Sequence, residues 1–219
     1  MMSTLKAPPE LSYEEFLAWC DEDTWAEWVD GEVVMVSPAS NRHQGIAGFL
    51  ASILGLYVQA HDSGTVLTAP FQMRLAELRR GREPDLLFIA KARRHLLKKT
   101  YLDGPADLVI ETISPESRLR DRGERRAEYE AAGVREYWLL DPERQEADFH
   151  HLDKHGRYRL IELDPLGIYR SQVLPGFWLK PDWLWQEPLP AALPILAEIA
   201  GVYPQLAQQF ERALGGARR

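Results

Sequence analysis

The chain has 219 residues, of which 45% are hydrophobic, and its formal net charge is -7. A chain of this size and composition can bury a core, which argues against disorder. The acidic balance excludes a protein that binds nucleic acid over its whole surface, because neutralising phosphates requires clustered Lys and Arg. A single cysteine, Cys20, excludes an internal disulfide, and no apolar run approaches the roughly 20 residues of a membrane helix. The composition therefore predicts a soluble, cytoplasmic protein without a membrane segment.

The N-terminal third predicts a helix, a hairpin and a longer helix. LSYEEFLAWC carries Ser12 and, three residues later, Glu15, which is the spacing of a capping box. TWAEWVDGEVVMVS alternates apolar positions on both sides of Asp30-Gly31, a dipeptide typical of tight hairpin turns. Residues 43–60 then repeat apolar side chains at three- and four-residue spacing, which predicts an amphipathic helix.

The middle of the chain predicts an α/β core. Three strand-like runs follow one another: TVLTAPFQMRL, EPDLLFIA after the turn-prone RRGR, and ADLVIETIS after a basic helical excursion. Their short links favour an antiparallel meander. A helix from about residue 117 to 132, ended by Gly133, leads into VREYWLLD, and such a crossover predicts a parallel strand. The expected order is helix, three-stranded antiparallel meander, helix and parallel strand.

Weaker signals follow Asp141. EADFHHL, GRYRLIEL and residues 169–173 are expected to extend the sheet, and residues 193–219 predict a helix broken at Pro204. We therefore expect one domain over residues 1–185 and a helical appendage over 186–219. The C-terminal helices offer a surface through which two copies of the chain could form a homodimer.

Two acidic residues interrupt apolar strands. Asp85 lies in EPDLLFIA and Glu111 in LVIETI, where burying an unpaired charge costs several kcal/mol. If the two strands are antiparallel neighbours, Asp85 lies opposite Glu111, and two carboxylates at this density suit Mg²⁺ or Mn²⁺. The alternative is that each carboxylate caps a strand end or pairs with an arginine.

The sequence from PDLLFI to GPADLVIETISPESRLRDRGERRAEYEAAGVREYWLLDP resembles the Uma family, a restriction-endonuclease-like branch of the PD-(D/E)XK nuclease superfamily. The earlier EWVDGEVVMVSPAS and His43-Gln44 also match, so the resemblance extends from about Tyr13 to Trp178. It implies a restriction-endonuclease-like fold and metal-dependent hydrolysis of DNA.

The resemblance implies roles for particular residues. Asp85 corresponds to the aspartate of the PD motif, and Glu111 to the second metal-binding acid. The superfamily lysine that follows this acid by two residues is replaced by Ile113. In related branches the basic group lies in a Gly-Glu-Lys stretch of the next helix, where this chain has Gly123-Glu124-Arg125. Arg125 can stabilise a phosphate but cannot act as a base, because a guanidinium keeps its proton at any ordinary pH.

Other polar residues are candidates for the same site. His43, at the start of a core helix, could bind the metal or simply cap the helix. Glu27 and Glu32 could supply a further acid or face the hairpin turn. Two basic clusters are candidate contacts with nucleic acid, and the residues singled out in them are Lys98, Lys99, Arg118 and Arg122.

Arg118, Arg122, Arg125 and Tyr129 recur at helical spacing, and this face could meet a phosphate backbone or pair with Asp121, Glu124 and Glu128 on the same helix. Two hypotheses follow. The first is a Mg²⁺- or Mn²⁺-dependent DNA endonuclease with Asp85, Glu111 and Arg125 as catalytic residues. The second is a nuclease-fold protein with little or no catalysis that binds nucleic acid or a second copy.

Overall fold

The computed structural model describes residues 10–21, 24–36, 39–113 and 121–215, except for the side chains of residues 121 and 122. The α-helices in these ranges are α1 (Tyr13–Trp19), α2 (Asn41–Ala60), α3 (Arg126–Ala132), α4 (Ala192–Ile199) and α5 (Pro204–Gly215). The strands are β1 (Ala26–Val29), β2 (Glu32–Met35), β3 (Gly64–Thr68), β4 (Gln72–Leu75), β5 (Arg80–Arg82), β6 (Leu86–Ala90), β7 (Tyr101–Asp103), β8 (Leu108–Thr112), β9 (Glu136–Asp141), β10 (Glu146–Leu152), β11 (Tyr158–Leu160), β12 (Tyr169–Arg170) and β13 (Trp178–Leu179).

The first elements form as their sequence predicts. Both hydrogen bonds of the capping box between Ser12 and Glu15 start α1. β1 and β2 pair as an antiparallel hairpin, and Asp30 and Gly31 take φ angles of 52° and 97° in its turn. Positive φ at both central residues is the requirement of a type I′ turn.

The main sheet has six strands in the order β11-β10-β9-β8-β6-β3. β3 pairs with β6 and β6 with β8 in antiparallel fashion, and β9 lies parallel to β8. The predicted core order of helix, antiparallel meander, helix and parallel strand is therefore confirmed. Of the crossover helix, the structure describes a π-helical turn at Asp121–Arg125 followed by α3, which ends at Gly133 with φ 85°.

The central strands are apolar on both sides because both faces of the sheet are covered. Leu86, Ile110 and Trp138 pack with the apolar face of α2, whereas Leu87 and Val109 face Tyr129 of α3. Successive side chains of a strand point to opposite faces, so the unbroken runs LLFI and LVI supply both cores.

The prediction of one strand over TVLTAPFQMRL was wrong. β3 belongs to the six-stranded sheet, and β4 belongs to a second sheet in the order β2-β1-β5-β4-β7. The chain changes sheets around Pro70, which has no N–H to donate to a ladder. RRGR is also not simply a turn, because its last three residues form β5. Gly81 is needed there because a Cβ would lie 2.5 Å from Cε2 of Tyr13.

The C-terminal segments only partly follow expectation. β10 and β11 extend the main sheet, but β12 pairs with β13 in a separate two-stranded sheet. The buried Glu136 explains this, because its carboxylate accepts hydrogen bonds from Tyr169, Ser171 and the backbone N–H groups of residues 172 and 173 and so fixes the segment away from the sheet edge.

Two helices follow, as predicted. Ile195 and Ile199 of α4 are buried in the core that contains α2. The division at residue 185 stays a prediction. No helix among the described residues is long and apolar enough to cross a membrane.

A buried histidine predicts how stability depends on pH. His150 of β10 lies against the rings of Tyr137 and Tyr158, and burial, assisted by the charge of Arg126, lowers its pKa below the ordinary 6.5. The unfolded chain therefore binds a proton that the folded chain binds only at lower pH. The contribution of neutral His150 to the unfolding free energy is complete above pH 6.5. It is lost as the pH falls through the pKa of His150 in the folded protein.

Urea unfolding of the wild type near neutral pH and in mild acid measures this effect. We expect the unfolding free energy of His150→Phe to fall less on acidification than that of the wild type, and His155→Phe, in an exposed turn, to behave as the wild type. An identical acid loss in all three proteins would contradict the assignment.

Candidate active site

Asp85 and Glu111 lie opposite each other where β6 begins and β8 ends. The strands pair Leu86 with Ile110, and one further step in this register pairs Asp85 with Glu111. The Asp85 carboxylate, at Oδ2, accepts a hydrogen bond of 2.7 Å from the backbone N–H of Thr112. The sequence-predicted acids are therefore neighbours on adjacent strands.

His43 contacts the first of these acids. It lies in the first turn of α2, where its backbone N–H donates to Oγ of the N-cap Ser40 at 3.1 Å. Its ring Nε2 is 2.9 Å from Oδ2 of Asp85. The expectation that His43 binds a metal stays a prediction, and the observed contact is with the carboxylate.

The second acid is held by α3 and the turn before it. The buried Glu111 Oε1 accepts hydrogen bonds of 2.7 Å from Nη1 of Arg125 and of 2.7 Å from the Tyr129 hydroxyl. Burial, followed by the charge of Glu111, raises the pKa of Tyr129 well above its usual range. Tyr129 therefore keeps its proton and acts as a donor to the carboxylate.

Arg125 bridges two carboxylates. Nη2 of its buried guanidinium lies 2.9 Å from Oε1 of Glu27, while Nη1 binds Glu111. The fork of Arg suits such a double contact, but these donors are then directed at acids of the protein. Its assigned role on a phosphate is therefore in competition with a structural role.

Glu27 is the residue that sequence reasoning undervalued. It lies on β1 with only 1% of its surface exposed, whereas Glu32 on β2 is exposed. Besides Arg125, it binds Nη1 of the equally buried Arg82 at 2.9 Å. The signal was a charged residue within the short apolar strand AEWV, the same signal that identified Asp85 and Glu111.

Arg82 extends this network to α3. Its Nε and Nη2 lie 2.9 and 2.8 Å from the two oxygens of Glu128. The alternative predicted that Glu128 pairs with arginines of its own helix. Glu128 instead pairs with Arg80 and Arg82 of β5. The reason is burial, because this face of α3 packs against the sheet.

Glu83 lies two residues before Asp85. Its backbone N–H donates to Oε1 of Glu27 at 3.2 Å, and its Oε1 accepts a hydrogen bond of 2.8 Å from Nε2 of Gln72. Burial raises the pKa of Glu83 to about 7, the charge of Glu27 adds to the effect and the hydrogen bond from Gln72 opposes it.

The predicted nucleic-acid contacts are only partly described. Lys98 and Lys99 are exposed after the 3-10 helix Lys91–Leu96. Arg118 lies outside the described residues, as does the side chain of Arg122. On the helical face that these residues were expected to share, Arg125 and Tyr129 point inward to Glu111.

The acids suit a metal that needs few protein ligands. Within the described ranges, no three His, Cys, Asp or Glu side chains form a cluster that could hold an ion. Mg²⁺, however, is usually bound by one or two carboxylates, with waters and substrate phosphates completing its shell. Asp85 and Glu111 fit that requirement.

Comparisons with known proteins identify the fold and the family of this chain. The chain is similar in fold to a crystal structure from Anabaena variabilis, described as "a putative nuclease belonging to DUF820", with a TM-score of 0.67 at 14% sequence identity. The match covers 80% of this chain and 97% of that one, and at this identity it shows the fold alone. No curated protein matches this chain in sequence.

The Uma2 family model, described as "Putative restriction endonuclease", matches residues 13–182. This range contains Glu27, His43, Asp85, Glu111 and Arg125. The sequence-based expectation of the family and of a restriction-endonuclease-like fold is confirmed. The chain belongs to the Uma2 family.

Proposed function

We propose that this protein is a slow endonuclease that hydrolyses DNA phosphodiester bonds with Mg²⁺ or Mn²⁺ held by Asp85 and Glu111. The observation that supports the proposal is the placement of these two acids side by side at the meeting of β6 and β8. The family points to a nuclease. A metal ion bound there would activate water and neutralise charge on the phosphate.

The protein's own residues prepare the two acids. His43 fixes the Asp85 carboxylate through Oδ2, and Tyr129 fixes Glu111 through Oε1. Such outer contacts orient the oxygens that a metal would meet. The exposed Lys98 and Lys99, with the predicted contacts Arg118 and Arg122, would position the phosphate backbone of DNA.

A second candidate function is a nuclease-fold binding module with little or no catalysis. The contact that favours it is the double ion pair of Arg125 with Glu111 and Glu27. A guanidinium bound to Glu111 competes with a metal for that carboxylate, and an arginine does not replace the missing basic lysine.

Incubation of purified protein with plasmid and single-stranded DNA tests the proposal. Conversion of supercoiled plasmid should require Mg²⁺ or Mn²⁺, and EDTA should stop it. Retention of labelled DNA without cutting in either metal would support the binding module and reject the endonuclease.

We further propose that the protein acts as a cytoplasmic homodimer, since cutting both strands requires two sites. Leu206, Phe210 and Leu214 recur every four residues on α5 and are each more than half exposed, while Ala207 is buried. A second copy could cover this stripe in an isologous contact.

Sedimentation of the full chain measures the dimer. We expect a mass of two 25.1 kDa chains for the wild type and for Gln208→Glu, and a monomer for Phe210→Glu. A monomeric wild type at high concentration would reject the dimer.

A further inference from the structure

A cavity of about 400 Å³ lies beside the candidate active site. Its walls come from α1 and the segment that follows it, from the start of β4, and from the connections before β6 and β7. Its lining side chains include Pro70, Phe71, Gln72, Glu83 and Lys99. The mechanism proposed above uses only Lys99 among them.

Two links join this cavity to Asp85. Glu83 is separated from Asp85 by one proline, so it lies at the approach to β6. The wall that contains Pro70 and Phe71 is joined to the same residue, because the backbone N–H of Ala69 donates to the carbonyl of Asp85 at 3.1 Å. The cavity therefore borders the two segments that flank Asp85, which is where a nucleotide next to a phosphate bound at Asp85 would lie.

We infer that this cavity binds a nucleobase that bears an amino group, preferably guanine, from the nucleotide next to the scissile phosphate. The inference rests on the proposed function and names a subsite of the same active site. Bases withdrawn from a stack are bound by hydrogen bonds to their Watson–Crick edge and by contact with aromatic and apolar side chains.

The polar groups of the cavity favour a base that donates hydrogen bonds. Gln72 is buried, and its Nε2 donates both to the carbonyl of Ala26 and to Oε1 of Glu83, which fixes the direction of that carboxylate. Among the described residues none donates to Oε2 of Glu83, so that oxygen can accept from a ligand. Guanine presents two adjacent donors, N1–H and the N2 amino group, whereas the single N3–H of thymine lies between two carbonyl oxygens.

The remaining lining residues suit a nucleotide. Phe71 is half-buried and with Pro70 supplies an apolar surface for the base. Lys99 is exposed at the rim and forms no ion pair with any described residue, so its ammonium is available to a phosphate. Bases of single strands stack on aromatic side chains in other proteins, largely without regard to sequence.

Binding without metal separates this inference from the proposed function. The probes are two fluorescent single strands of ten nucleotides, one of thymidine only and one with a single central guanine, and their anisotropy is measured in EDTA with the full chain. We expect wild type to bind the guanine strand about tenfold more tightly, the scale of a hydrogen bond to a carboxylate.

Variants locate the contact. Glu83→Gln should abolish the preference for guanine, whereas the control Glu77→Gln, which alters an exposed acid outside the cavity, should retain it. Lys99→Ala should weaken both strands alike. Thermal unfolding checks that each variant is folded.

The outcomes do not depend on cleavage. Equal binding of the two strands, or a guanine preference that survives Glu83→Gln, would overturn the inference even if the protein cuts DNA. A guanine preference that needs Glu83 would support it even if no cutting is found.

Discussion

Replacing Asp85 by asparagine is expected to reduce metal-dependent DNA cleavage by roughly 1000-fold, because a metal site supplies several kcal/mol of transition-state stabilisation and each 1.4 kcal/mol is a factor of ten. Asparagine keeps an oxygen that can accept from the N–H of Thr112 but loses the charge that attracts a divalent cation. Folding should change little. The cleavage rate of plasmid at saturating Mn²⁺ and the urea unfolding curve measure the two effects.

Asp62→Asn is the matched control for this substitution. Asp62 is an exposed acid after α2 that pairs with Lys91, which follows the end of β6 opposite to Asp85. We expect its cleavage rate to equal that of wild type. Cleavage by Asp85→Asn at the rate of the control would place the reaction elsewhere in the molecule.

Arg125→Lys is expected to raise cleavage about tenfold, the effect of 1.4 kcal/mol on a barrier. The guanidinium uses two nitrogens, one on Glu111 and one on Glu27, and a single ammonium cannot occupy both positions with the same geometry. Lysine would leave Glu111 more accessible to a metal and would supply a group that can exchange a proton. The rate of plasmid cleavage in Mg²⁺ measures this gain.

Arg125→Met tests how much Arg125 contributes to the stability of the fold. It leaves Glu27 and Glu111 without one buried partner, which typically costs about 3–5 kcal/mol of unfolding free energy. Arg126→Lys is the control. Arg126 is half-buried, lies 4.0 Å from Glu130 and over the ring of Tyr158, and a lysine keeps its charge, so neither rate nor stability should change. A rate for Arg125→Lys below that of wild type would show that Arg125 itself assists the phosphate.

The core of the fold was accessible to sequence reasoning because its signals are local. Short apolar runs such as LLFI and LVI favour strands covered on both faces, and Gly133 marks the end of the crossover helix. The pairing of Asp85 with Glu111 was inferred from an antiparallel arrangement of their strands, although the chain between these strands forms a 3-10 helix (Lys91–Leu96) and β7.

The second sheet was not accessible in the same way. β4, β5 and β7 are three or four residues long, so their periodicity is too short to distinguish them from turns. Gly81 gave the signal of a turn, although its role is to admit the ring of Tyr13. Only the packed structure shows that contact.

The partners of the site were also beyond the sequence. Glu27 is 98 residues from Arg125 and Arg82 is 46 from Glu128, so no spacing rule connects them. The sequence shows Arg125 where related branches have the lysine of a Gly-Glu-Lys stretch. Its engagement with two acids, which changes its expected chemistry, depends on tertiary packing.

Anomalous diffraction from crystals soaked in Mn²⁺ tests the central claim most directly. The claim predicts one strong Mn²⁺ peak between the carboxylates of Asp85 and Glu111, and no peak there in crystals of Asp85→Asn. An undisturbed ion pair of Arg125 with Glu111, with no peak between the two acids at a Mn²⁺ concentration that supports cleavage, would contradict it.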